Sequence, residues 1–214
     1  MIKGVLFDMD GVLLDSEEFM CESAIRMFSE KGLTVTKKDF EPFVGMGENR
    51  YLGGVAEQYG CEFNLDIDKA RAYEIYAEIT KGKLVPLPGV HDFIRRCKNK
   101  SLKLAVATSA DKVKMEINLK ALALPDNALD LTVNGLEVER KKPFPDIYLE
   151  AARRLGLKPE ECLVVEDALS GIDSARAAGC KCLALATSFP ADRLMHADWV
   201  SKTLADAPEA SINW

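Results

Sequence analysis

Two aspartates spaced one residue apart close an apolar run and are followed by a glycine: Val5-Leu6-Phe7-Asp8-Met9-Asp10-Gly11. In an extended chain, residues i and i+2 point to the same side. Asp8 and Asp10 therefore project past the end of a strand towards one small volume. Carboxylates crowded in this way repel unless a cation or a shared proton sits between them. Open parallel sheets place their ligands at the carboxyl ends of their strands, so the paired acids call for partners at other strand ends.

Three further stretches meet that requirement. Thr108-Ser109 follows the apolar run ending at Ala107. A hydroxyl together with the free backbone N–H groups of a following helix makes an anion site. Taken alone, an N-cap for a helix from Asp111 explains the pair better. Lys141-Lys142-Pro143-Phe144-Pro145-Asp146 is a loop held by two prolines. Its lysine neutralises a phosphate, or else is one of a solvated pair before a helix, and in isolation the solvated pair is the better reading. Glu166-Asp167 follows Val164-Val165 and is the more telling, because it is a second acidic strand end. Carboxylates gathered at two strand ends favour a hard cation, and Mg²⁺ prefers oxygen ligands of this kind. Together the stretches describe a phosphoryl-transfer site. Asp8 and Asp167 hold Mg²⁺, Ser109 and Lys142 hold the anionic oxygens, and Asp10 handles protons. Such chemistry needs charge neutralisation and in-line positioning above all.

The elements that must position these residues alternate. Residues 2–8 read as a buried strand. Residues 17–31 have apolar positions at helical spacing and stop at Lys31-Gly32. Residues 37–81 read as short helices without a strand, and Val85-Pro86-Leu87-Pro88-Gly89 ends them. Helices over 90–99, 111–121, 145–155 and 168–178 then alternate with strands over 102–107, 130–134, 162–165 and 180–185. This order predicts an α/β fold, a doubly wound parallel sheet covered on both faces. The predicted core is 1–14 with 87–214. An all-helical insert over 15–86 enters after the first strand, well placed to act as a lid.

The chain has 214 residues, 48% of them hydrophobic and 29% charged, as in an ordinary folded protein. A net charge of -6 opposes a dedicated nucleic-acid binder, which needs a basic face. No apolar run approaches the roughly 20 residues that span a bilayer, and the N-terminal run does not have the pattern of a secretory signal. None of the six cysteines forms a C-x-x-C. They are expected to be reduced packing residues, which places the chain in a reducing compartment. With two histidines, His91 and His196, a structural zinc site is not expected.

The order Asp-x-Asp-Gly-Val, Thr-Ser, Lys-Pro-x-Pro-Asp, Glu-Asp resembles the haloacid dehalogenase (HAD) superfamily of phosphatases and mutases. The likeness covers almost the whole chain, and a double-aspartate first motif belongs to its phosphatase members. The chain is most similar to the β-phosphoglucomutase-like branch, whose Rossmann-like core carries a helical cap after the first motif. Pro42-Phe43-Val44-Gly45, Leu52-Gly53-Gly54-Val55-Ala56, Cys97-Lys98-Asn99-Lys100 and Ser109-Ala110-Asp111 also resemble the dehalogenase-like domain of a plant chloroplast protein. There the domain is joined to thioredoxin-like and β-propeller domains, which implies that this chain is part of a larger protein or a free-standing relative.

The resemblance implies roles residue by residue. Asp8 is the nucleophile, and Asp10 first protonates the leaving oxygen and then deprotonates water. Ser109, Ala110 and Lys142 bind the phosphoryl group. The Asp8 side chain, the Asp10 carbonyl and Asp167 hold Mg²⁺, with Glu166 as a further ligand. The cap loop 43–54, through Gly45, Glu48 and Arg50, meets the substrate. Two departures weaken a mutase reading. Met20 stands near the mutases' histidine, and Val44 and Glu48 stand where basic residues grip sugar phosphate, although Arg50 is close. The expectation is a Mg²⁺-dependent phosphatase of a small phosphorylated metabolite, acting as a monomer or weak dimer. A sugar-phosphate mutase and a docking domain of a larger chloroplast protein are the alternatives.

Overall fold

β1 (Gly4–Phe7) lies at the centre of a six-stranded, all-parallel sheet in a computed structural model that describes residues 1–43 and 47–214. The other strands are β2 (Lys103–Ala107), β3 (Leu131–Val133), β4 (Cys162–Glu166), β5 (Lys181–Leu185) and β6 (Trp199–Ser201). Their order is β3-β2-β1-β4-β5-β6. β1 pairs with β2 on one side and β4 on the other, so the strand order reverses at β1. That reversal is where a doubly wound sheet opens a ligand crevice beyond its strand ends.

Strand residues alternate strictly between two hydrophobic layers, as the pleat requires. Val5, Phe7, Leu104, Val106, Leu163 and Val165 face one layer, which α5 (Val90–Asn99) and α6 (Lys112–Leu122) cover. Leu6, Ala105, Ala107, Cys162 and Val164 face the other, under α7 (Asp146–Leu155) and α8 (Leu169–Ala178). The α/β architecture expected from the alternation is present. β6 was not foreseen: it has three half-buried residues at the sheet edge, too few to show a period.

Between β1 and β2 the chain forms α1 (Glu17–Glu30), α2 (Lys37–Phe40), α3 (Glu48–Gln58) and α4 (Leu65–Thr80). These helices bury an apolar cluster of their own, in which Phe40 stacks on Tyr51 at 4.8 Å and Phe28 packs against Phe40 and Phe63. The expectation of short helices fails at α4, which runs 16 residues. Asn64 starts it by accepting from the N–H groups of Asp66 and Ile67. All six cysteines are free thiols, as expected.

Gly89 returns the chain to the sheet with φ +87°, and a Cβ there would fall on the backbone of Leu204 and Ala205. Neither neighbour is a flexible side chain that can yield. Gly89→Ala is expected to lower unfolding free energy by about 2–3 kcal/mol, read from denaturant titration.

Candidate active site

The ends of β1 and β4 bring three carboxylates together. Asp8 follows β1, Glu166 ends β4 and Asp167 follows it, and ligand atoms of all three lie within 4.8 Å of one another. Lys142 Nζ donates to Asp8 Oδ1 at 2.5 Å and to Glu166 Oε1 at 2.6 Å. Tyr148 OH donates to the same Glu166 oxygen at 2.8 Å, and the N–H groups of Asp167 and Ala168 donate to Oε2. Both Glu166 oxygens are thus committed, which orients the residue. Gly171 lets it sit there, since a Cβ at that position would overlap its carboxylate. Gly11, at φ +74°, has the same relation to the Asp167 carboxylate, which also accepts from Ser188 Oγ.

Three carboxylates against one ammonium leave two negative charges in a buried volume, and the acids respond. Burial pushes the Asp8 carboxyl well up, with Lys142 pulling against it and Glu166 adding to it. Burial and then the charges of Glu166 and Asp8 raise Asp167 strongly. Burial would raise Glu166 too, but Lys142 and the hydrogen bonds it receives hold it below the usual range. The donor set is all oxygen and carries the charge that a divalent hard cation balances, so these residues fit Mg²⁺.

The Asp10 carboxyl lies outside that cluster and has other partners. Lys114 Nζ donates to Oδ2 at 2.7 Å, while Ser16 Oγ and Asn118 Nδ2 donate to Oδ1. Lys114 and Asn118 are one helical turn apart on α6 and share a face. Lys114 also lies 3.9 Å from Glu48 Oε1, at the start of α3. Burial works against the Lys114 charge, but Asp10 and Glu48 outweigh it and hold its pKa above the ordinary value. Tyr76 of α4 donates to Asn118 at 2.5 Å, and Lys69 of α4 donates to Asp111 at 2.6 Å. The helical segment therefore rests on α6 beside Asp10.

Ser109 and Ala110 follow β2, with Ala110 buried and Ser109 half-buried. Helix α6 starts at Lys112 with Asp111 in the capping position, so Ser109 is not its N-cap. Gly135, beyond β3, pins the loop: its N–H donates to Ala110 O, and a Cβ would strike Ser109 O. Of the loop residues expected to meet the substrate, Glu48 is buried beside Lys114, whereas Arg50 bonds Glu57 at 2.6 Å on the surface, over the Phe43 ring. Gly45 lies outside the described residues.

The sequence reading missed Lys114, Asn118, Ser16, Ser188 and Tyr148. A lysine and an asparagine four apart on a helix look like an exposed face. Only their placement after Thr108-Ser109 marked them as near a strand end.

The model of the haloacid dehalogenase-like hydrolase family matches residues 5–185. The chain belongs to that family. It is 44% identical over 193 residues to the SUPPRESSOR OF QUENCHING 1 protein of Arabidopsis thaliana chloroplasts, an alignment covering 88% of this chain but 18% of that protein. It is 33% identical over 178 residues to the phosphorylated carbohydrates phosphatase of Thermotoga maritima, covering 83% and 82% of the two chains. CbbY of Rhodobacter sphaeroides, solved in complex with phosphate, superposes with a TM-score of 0.89 over all of both chains at 24% identity, a likeness of fold. The six-stranded parallel sheet and this likeness agree on an HAD core.

Proposed function

We propose that the chain is a Mg²⁺-dependent phosphatase of small phosphorylated metabolites that works through an aspartyl-phosphate on Asp8. The convergence of Asp8, Glu166 and Asp167 around Lys142 carries this reading. The kinship to a phosphatase of phosphorylated carbohydrates supports a sugar phosphate or similar substrate. In this reading residues 1–14 and 87–214 are the core, and 15–86 are a cap over its strand ends. Likeness to a chloroplast protein and the free thiols support a reducing compartment, the stroma or the cytoplasm.

Asp8, Asp167 and the Asp10 carbonyl, with Glu166 behind them, would hold Mg²⁺. When bound, the ion neutralises charge on the phosphoryl oxygens. An Asp8 carboxylate oxygen attacks phosphorus as the ester P–O bond breaks, and Asp10 gives the departing oxygen its proton. Asp10 then takes a proton from water. The resulting hydroxide attacks phosphorus, releasing inorganic phosphate and restoring the Asp8 carboxylate. Ser109 and Lys142 bind the other phosphoryl oxygens throughout, joined by the Ala110 N–H once it leaves the Thr108 hydroxyl to which it donates at 3.1 Å.

The test is phosphate release from p-nitrophenyl phosphate and a panel of sugar phosphates, with and without Mg²⁺. Release that requires the ion is expected. Asp10→Asn is expected to lower kcat by about 10²–10⁴-fold, the scale of general acid–base catalysis. No release from any ester would reject the function.

A further inference from the structure

We propose that Glu48 and Lys114, beside Asp10, form a leaving-group site with no positive charge to spare, one that selects monophosphate esters of neutral, hydroxylated alcohols and rejects substrates with a second anionic group. The inference rests on the phosphatase reading, because that reading places the departing oxygen at Asp10. The remainder of the alcohol then lies among the groups next to Asp10. Those groups are Lys114, 2.7 Å from Asp10, and Glu48, 3.9 Å from Lys114, both buried.

Lys142 would hold the phosphoryl group with the help of the divalent ion, whereas a second phosphate or a carboxylate beside Asp10 needs positive charge that neighbouring carboxylates do not already balance. Among the described residues, the cations of this region that could serve each have a carboxylate partner. Lys114 lies between Asp10 and Glu48. Lys69 is bound to Asp111 and Asn49. Lys142 is bound to Asp8 and Glu166. Arg50 is bound to Glu57 on the surface. An anion entering beside Asp10 therefore meets the Glu48 carboxylate and must displace an existing partner of Lys114. Like-charge juxtaposition of this kind is how a site rejects a wrong ligand. Hydroxyl groups meet no such penalty, since the Glu48 oxygens accept from them.

Matched substrates test this. Glycerol 3-phosphate and 3-phosphoglycerate share a skeleton, and so do fructose 6-phosphate and fructose 1,6-bisphosphate. With Mg²⁺, kcat/KM for phosphate release is expected to be at least about tenfold higher for the neutral member of each pair. Glu48→Gln is expected to narrow the ratio, and Glu48→Lys to invert it. A ratio within one variant is unaffected by the amount of folded protein. Equal or faster release from the anionic members by the native chain overturns the inference, as does a ratio that neither variant moves. No release from these four esters or from p-nitrophenyl phosphate overturns the phosphatase reading and this inference with it.

Discussion

Asp8→Asn is expected to abolish Mg²⁺-dependent phosphate release, a loss of at least about 10⁴-fold, as when a covalent nucleophile is removed. The amide has the shape of the carboxyl but cannot attack phosphorus. Asp8 is a favourable place for this substitution because burial already pushes its carboxyl towards the neutral form. A neutral side chain there should leave circular dichroism and the unfolding midpoint near those of the native chain. Loss of activity with an intact fold then isolates the chemistry. A variant that hydrolyses p-nitrophenyl phosphate at the native rate would reject Asp8 as nucleophile, whatever the other residues do.

The parts of the site that were legible in sequence lie at strand ends. Apolar strands that stop at Asp8-x-Asp10 or Glu166-Asp167 break their own pattern, and a buried charge at such a break needs a reason. Ser109 and Lys142 were legible only in company with these acids, because each alone reads better as a helix cap or a solvated lysine. The strand-end pattern could not find Lys114, because a lysine on a helix conforms to the ordinary pattern of a solvated face. Its burial follows from how α4 lies against α6, through Tyr76 and Asn118. That packing joins residues 42 positions apart and leaves no local mark. Arg50 shows the reverse case. Its place in the cap loop suggested a substrate contact, but Glu57 lies seven residues on, along the same helix, and takes it to the surface. Local spacing thus identified charges facing the strand ends and misjudged those set by helix packing.

Lys142→Met separates the structural and catalytic roles of the buried ammonium. Lys142 lies between Asp8 and Glu166 with its side chain 8% exposed, and it rests 5.0 Å over the Tyr148 ring. Methionine keeps the length and the apolar contact with Tyr148 but removes the positive charge. Breaking a buried ion pair at one partner costs about 3–5 kcal/mol, because the other charge stays buried and unpaired. Metal-free Lys142→Met is expected to lose stability on that scale in urea unfolding. Mg²⁺ binding should move the other way. The native cluster sets three carboxylates and one ammonium against the ion, whereas the variant offers the three carboxylates alone. Affinity for Mg²⁺ is therefore expected to rise, and added Mg²⁺ to restore more stability to the variant than it adds to the native chain. Turnover should nevertheless fall by about 10²–10³-fold, the usual loss when one donor to a reacting oxyanion is removed. Tighter metal binding with slower chemistry is a combination that simple damage to the fold does not produce, since damage weakens both. Isothermal titration with Mg²⁺ beside phosphate-release kinetics reads the two quantities separately. Weaker Mg²⁺ binding in the variant would show that Lys142 organises the carboxylates instead of competing with the ion for them.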